Sequence, residues 1–296
     1  MNNSISPYLW MLSGSVALAT MGTLTHALGS RCEWQVVALA RTSLALVFAV
    51  GLTHAAGARF VVLRPPTMWV RSIAGSVSLV CTFYALPRMP VADVFTITSV
   101  FPLWVALLSW PLLGKAPSGG VWLAIVVGIT GVVLVEQPHL AAADHPAAAA
   151  PAIAALIASF TTAIAMLGIH RLQGIDPRAI VAHFSAVALV VVTVLLMLPA
   201  DEGHFASRFD PATTAMLFGV GVCATTGQLL LTKAFASGPP AKVSVVALSQ
   251  VVFAMFYDLL VWQYPFRPIT AVGILLVLAP TAWLLLRQPR AARGGV

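Results

Sequence analysis

Charge is what this chain lacks. Only 8% of its 296 residues are Asp, Glu, Lys or Arg, while 59% are hydrophobic and mean hydropathy is +0.94. A soluble domain carries roughly 25% charged residues, so a water-facing globule of this length is excluded. Acids are the scarcer sign, 9 against 16 Lys and Arg, for a net charge of +7. The basic residues fall between apolar runs rather than on one patch. That placement points to a lipid bilayer, not to nucleic acid. Cysteine is also scarce. Cys32, Cys81 and Cys223 stand alone with no CxxC, so neither a metal knuckle nor a redox pair is expected. No GxSxG, HExxH, Walker loop or nucleophile–base spacing occurs. The Gly219, Gly221 and Gly227 run lies inside an apolar span with no preceding strand, which removes a dinucleotide site. No catalytic residue, cofactor or metal is therefore expected, and any transport must draw on gradients rather than on ATP. The first apolar run, Tyr8 to Leu28, has no basic segment before it and reads as a retained helix.

What is present is length. Apolar runs of about 20 residues, enough for a hydrocarbon core of ~30 Å, fall at 8–29, 34–56, 67–87, 90–113, 119–136, 150–171, 177–199, 211–236, 240–262 and 268–287. The breaks carry Pro, Gly and charge, as at Arg64-Pro65-Pro66, Pro87 to Pro90 and Gly238-Pro239-Pro240. Unpaired backbone groups are intolerable in lipid, so each run must be a helix. The expected fold is an all-α polytopic membrane protein with ten transmembrane helices. Pro102 should break the fourth. The clearest linker, His139 to Ala150, divides five helices from five. This gives a first five-helix repeat at 8–138, a linker loop at 139–149, a second repeat at 150–287 and a tail at 288–296.

An odd number of crossings per half makes the second half enter from the opposite side, so the repeat is inverted. At an offset of 149, Ala85 falls on Ala234, Pro90 on Pro239, Asp93 on Lys242 and Ser109 on Asp258. A cytoplasmic N-terminus puts nine Lys and Arg on the cytoplasmic side, the tail's Arg287, Arg290 and Arg293 among them. Four fall opposite: Arg31, Arg88, Arg208 and Arg267. The positive-inside rule then makes both termini cytoplasmic.

Arg41 sits seven residues into the second span, roughly 11 Å deep at 1.5 Å per residue. A guanidinium there faces a partner or a wet cavity, because insertion into lipid costs at least ~2.5 kcal/mol. Two readings stand: a site for an anionic group of a substrate, or a structural pair with Glu33, Asp93, Asp258 or backbone carbonyls. Further polar residues form stripes along single spans. They are Asp93, Thr96 and Ser99; Arg71, Gly75, Ser78 and Thr82; Thr225, Gln228 and Thr232 beside Lys233; Lys242, Ser249, Gln250 and Tyr257; and Trp10, Ser13 and Thr20. Such stripes serve helix packing or line a shared polar passage. Asp93 and Asp258 offer proton or cation sites, although Asp258 lies near a span end. His183 reads as a packing residue ahead of a proton relay.

Several of these residues resemble the EamA-type members of the drug/metabolite transporter superfamily. The resemblance rests on Arg71-Ser-Ile-Ala-Gly75, Phe83-Tyr-Ala-Leu86, Met89-Pro-Val-Ala-Asp93, Phe101-Pro102 and Leu112-Leu-Gly114. In the second half it rests on Leu248-Ser-Gln-Val-Val-Phe253 through Asp258 and on Gly273-Ile-Leu-Leu. Arg41 is similar to the arginine such sequences carry in their second helix. The resemblance implies two inverted five-helix repeats around a central cavity, lined by the first, third, fourth, sixth, eighth and ninth spans. One departure is visible: such proteins place Glu after the Leu-Gly of the fourth helix, where Lys115 stands here.

The expected function is secondary active transport of a small organic metabolite or drug-like solute, as an exporter or exchanger, by alternating access. Gln228, Gln250 and Thr96 would hydrogen-bond the solute, Arg41 would supply positive potential, and Tyr84 and Trp10 would give apolar walls. Asp93 is the proton-coupling candidate. The expected partners are a small-molecule substrate and the bilayer, for a monomer or homodimer in the bacterial inner membrane. Translocation of a lipid-linked or amphipathic substrate is the alternative, and an intramembrane enzyme a third reading.

Overall fold

A computed structural model describes residues 5–63, 65–85, 88, 91–137, 149–197, 209–263 and 267–286, except the side chains of 91, 92, 258 and 262. Among these residues there are twelve α-helices and one π-helical turn. They run in the order α1 (Ser6–Leu28), α2 (Trp34–Ala55), α3 (Pro66–Ala85), α4 (Val91–Thr98), α5 (Phe101–Leu113), α6 (Gly119–Glu136), α7 (Ala149–Arg171), α8 (Pro177–Met197), α9 (Pro211–Ser237), α10 (Pro240–Ala247), α11 (Ser249–Tyr257), the π turn (Asp258–Trp262) and α12 (Pro268–Leu286). Among the described residues, eight helical stretches are long and apolar enough to cross a membrane. α1 and α3 have the length too, 23 and 20 residues, but carry Ser, Thr, Gly and, in α3, Arg71. The linker and tail expected at 139–149 and 288–296 lie outside the described residues, apart from Ala149, which opens α7. So does the Pro-Arg-Met-Pro turn, apart from Arg88.

The fourth expected run is broken ahead of Pro102, between Thr98 and Phe101. Pro102 takes a position in the first turn of α5, where its missing N–H has no helical partner to lose. The ninth run, expected as one helix over 240–262, is one candidate span, Pro240–Val261, interrupted at Leu248 and closed by a π turn, so that it divides into α10, α11 and that turn. No proline causes this. The Leu248 N–H bonds the carbonyl of Val245, and the Val251 N–H bonds that of Leu248. Such three-residue spacing tightens the helix locally. The proposed arc from Lys242 to Tyr257 is therefore not one continuous helix face. Gly114 ends α5 with φ +67; its N–H bonds the Trp110 carbonyl, and the Lys115 N–H bonds that of Ser109. That left-handed cap suits glycine and ends the helix with no help from an acid at 115.

The halves interleave. α1 lies along α9 and α7 along α3. α2 lies along α8 and α6 along α12. α1 also meets α10 and α11, as α7 meets α4 and α5; α2 meets α9, as α3 meets α8. Each of these contacts has a counterpart with the halves exchanged. The closest crossing is reciprocal. A Cβ on Gly131 of α6 would lie 2.7 Å from the Gly273 carbonyl oxygen, and a Cβ on Gly273 of α12 would lie 2.7 Å from that of Gly131. Each glycine also faces the valine four residues beyond its counterpart, Val277 and Val135. Only residues without side chains let two helix backbones approach so closely.

Candidate functional site

Among the described residues, helix α3 carries the most deeply buried cation. Its Arg71 is 1% exposed. The burial follows from two glycines that let neighbouring helices close on it. Gly168 of α7 has its missing Cβ position 3.0 Å from the Arg71 Cβ, and the missing Cβ of Gly75, one turn along α3, lies 3.1 Å from Nη1. Phe184 of α8 covers the guanidinium face, with 4.0 Å between Cζ and the ring centroid. Such a cation–π contact is worth about 2 kcal/mol when desolvated. Arg71 Nη2 donates to Oε1 of Gln228 on α9 at 3.4 Å, a long bond. Nε and Nη1 have no acceptor. A buried donor left unsatisfied costs about 1–3 kcal/mol, and more when charged.

Beside this group lies a satisfied one. Ser72 Oγ is 2.8 Å from His183 Nδ1, and His183 Nε2 is 3.2 Å from the Val62 carbonyl oxygen. A carbonyl accepts only, so Nε2 carries the proton and Nδ1 accepts from the serine hydroxyl. Trp69 meets the imidazole edge-on at 4.8 Å. One turn beyond Gly75, Ser78 bonds Thr162 of α7 at 2.6 Å. From Arg71 to Ser78 the polar side of α3 therefore meets α7, α8 and α9. Among the described residues the ion pairs are Arg31–Asp210 and Arg178–Asp176, both partly exposed near helix ends. Neither reaches Arg71 or Arg41.

The residues expected to bind solute occupy separate places. Gln228 is the one that meets Arg71. Arg41 is half-buried on α2, and its guanidinium lies 6.0 Å from the Phe83 ring. The Asp258 side chain is not described. Asp93 is 1% exposed in the first turn of α4, where unpaired N–H groups favour negative charge. Thr96, three residues on, is buried with its hydroxyl unpartnered. Gln250 is half-buried just past the break at Leu248. Trp10 is partly exposed on α1 with Lys233 Nζ 4.9 Å over its ring. Tyr84 stacks with Arg88 at 4.0 Å, and Arg88 Nη1 donates to the Tyr84 carbonyl at 3.0 Å. Trp10, Arg41, Tyr84, Thr96, Gln228 and Gln250 make no hydrogen bond with one another.

Sequence reasoning placed Arg71 in a stripe and chose Arg41 for the charge. The signal that favoured Arg71 was the glycine four residues on, which marks the arginine's own face as a close crossing. Unpartnered hydroxyls on Ser15, Ser159, Thr232 and Ser249 add to the buried polar groups that lack partners in this conformation.

The profile of the EamA-like transporter family matches the chain twice, over residues 5–136 and 149–286. The pseudopaline exporter CntI of Pseudomonas aeruginosa (strain UCBPP-PA14) is 29% identical over 220 residues, 72% of this chain and 73% of its own. Human solute carrier family 35 member G1 is 23% identical over 228 residues, 74% of this chain and 62% of its own. A solved structure, described only as the crystal structure of a protein, superposes with a TM-score of 0.80. It covers 95% of this chain and 98% of its own at 17% identity, a likeness of fold alone.

Proposed function

The chain belongs to the EamA-like transporter family, and on that premise we propose that it is a secondary active transporter, exporting or exchanging a small organic metabolite or drug-like solute by alternating access. The family and its named relatives are transporters, not enzymes. The observation that carries the mechanism is the exchange of packing partners between halves: α1 on α9 against α7 on α3, and Gly131 against Gly273. Such reciprocity is what an inverted repeat produces, and a near-symmetric pair of units can rock between two faces of a bilayer.

In this reading α4 with α5, and α10 with α11 and the π turn, each make one broken crossing. The chain then crosses ten times in two five-helix units, at 8–138 and 150–287, joined by 139–149. Both termini, and the tail at 288–296, are cytoplasmic. Helices interrupted at membrane depth suit a binding site, because irregular backbone in a bilayer is tolerated where it is buried in protein or lines a cavity. Thr96 beyond the start of α4 and Gln250 at the start of α11 flank these breaks and serve the solute, with Gln228, Arg41, Tyr84 and Trp10. Asp93 exchanges the coupling proton. The exporter among the relatives supports outward movement and a bacterial inner membrane.

Counterflow in proteoliposomes across a panel of metabolites tests the function. Accumulation of at least one solute that requires intact protein is expected. No uptake of any of them by folded protein contradicts the proposal. Asp93→Asn should keep counterflow yet lose proton-driven accumulation. Unchanged accumulation under an imposed gradient removes the coupling role from Asp93.

A further inference from the structure

We infer that Arg71 is the recognition point for a carboxylate, so the solute carried is an organic anion. The inference rests on the transporter reading and names its substrate class.

The argument starts from satisfaction. Arg31 has Asp210, Arg178 has Asp176, Arg267 has Gln137, and Arg171 and Arg88 have the carbonyls of Leu112 and Tyr84. These arginines lie towards helix ends. Arg71 is the most enclosed, yet its Nε and Nη1 meet no acceptor. Nη2 carries two N–H groups, one on each of the two edges that can grip a carboxylate. Gln228 takes one of them. The opposite edge therefore keeps both donors free, which is the fork a carboxylate fills with two parallel bonds.

The surroundings select shape. The Phe184 ring lies over the guanidinium face at 4.0 Å. That roof leaves the plane of the fork as the direction of approach, which suits a flat carboxylate better than a tetrahedral phosphate. Gly75 and Gly168 carry no side chain beside the group, and a Cβ on Gly75 would stand 3.1 Å from Nη1. The conformation described is closed over the guanidinium. Alternating access supplies the opening, since the groups around Arg71 come from α3 in one half and from α7, α8 and α9 in the other.

Thermal unfolding of purified protein provides a test independent of transport. The probes are benzoate and succinate, their amides benzamide and succinamide, and inorganic phosphate. A saturable rise in the unfolding midpoint is expected with at least one carboxylate, and an affinity about tenfold weaker or worse for its amide. Arg71→Gln should abolish the response, and Arg178→Gln, a surface change, should leave it intact. Gln228→Glu places a carboxylate beside Nη2. It should raise the midpoint without ligand and remove the response to added carboxylates. Where Arg71→Gln does not fold, Arg71→Lys keeps the charge but loses the fork, and should weaken binding about tenfold or more.

An unchanged carboxylate response in folded Arg71→Gln overturns the assignment, as does phosphate or the amides matching the carboxylates. A wild type that binds and carries only neutral or cationic solutes removes the anion and leaves the transporter. A wild type that binds and carries nothing removes both.

Discussion

Two crossings between the halves use one device and differ in what they enclose. In the first, Gly75 of α3 lies under Phe184 of α8, with the missing Cβ 2.9 Å from Cε2. In the second, Gly221 of α9 lies under Leu44 of α2, with the missing Cβ 2.5 Å from the Leu44 Cβ. One turn before Gly75 stands Arg71, beside the Ser72–His183 bond. One turn before Gly221 stands Leu217, buried in an apolar cluster with Val220, Leu28 and Val37. The packing is shared and the charge is not. Duplication fixes how the helices meet, because backbone approach depends on small residues alone. Chemistry is free to settle on one side, and here it settles where α3 crosses α8.

The sharpest break in this comparison is to make the polar crossing apolar. Arg71→Met removes the enclosed charge and fills most of its volume. Replacing a buried ion by a packed apolar side chain is neutral or stabilising by up to ~4 kcal/mol. Losing two charge-assisted bonds to a solute should cut transport by about 100-fold or more. The variant should therefore unfold at the wild-type temperature or above it, while counterflow disappears. A variant that loses stability and transport together would make Arg71 a structural residue.

Adding a methyl to each glycine separates the two crossings. Gly221→Ala meets the Leu44 Cβ, an atom fixed to the α2 backbone, so the helices must part. The expected destabilisation is about 2–3 kcal/mol. Gly75→Ala meets the far edge of the Phe184 ring and the tip of Arg71, both of which can turn aside. It should cost about 1 kcal/mol in stability, yet disturb solute affinity more than Gly221→Ala does. Unfolding midpoints and counterflow on the same preparations rank the pair.

Much of the fold was legible because lipid allows few backbone solutions. The runs at 119–136 and 177–199 nearly coincide with α6 and α8, and Pro102 announced the break before α5. The break at Leu248 was not legible, since three-residue hydrogen bonding leaves no proline or glycine behind. The site was half legible. Depth along a helix can be counted from the span's end, and that count favoured Arg41. What lies sideways of a residue depends on which helices cross there, and no count along one helix supplies it. Gly75 hinted at a crossing, but the enclosure of Arg71 needed Gly168 and Phe184, about a hundred residues away.

Arg41 gives a smaller contrast. It lies one turn before Leu44 on α2 with its guanidinium 6.0 Å from the Phe83 ring. Its field should still be felt in a low-dielectric passage, at about 1–2 kcal/mol for an anion ~10 Å away. Arg41→Gln should thus weaken apparent affinity about 5- to 20-fold, and the loss should shrink as ionic strength rises. A loss matching that of Arg71→Met would place both arginines on the solute itself.

The smallest effects belong to the outer rim of the apolar crossing, where Arg31 and Asp210 bridge at 3.3 Å with side chains 39% and 31% exposed. Asp210 also caps α9, since its Oδ1 accepts from the Thr213 N–H at 2.7 Å. Arg31→Ala removes only the bridge and should cost at most ~1 kcal/mol, less in salt. Asp210→Ala removes bridge and cap, and should cost about 1 kcal/mol more than Arg31→Ala does. Neither change should move carboxylate affinity, because both residues sit outside the helices that enclose Arg71 or at the far end of α9 from Gln228. Unfolding midpoints measured across a salt series separate the two terms: the Arg31 effect fades with ionic strength and the cap persists. If Arg31→Ala matched Asp210→Ala at every salt concentration, the cap would carry nothing and α9 would be held by packing alone.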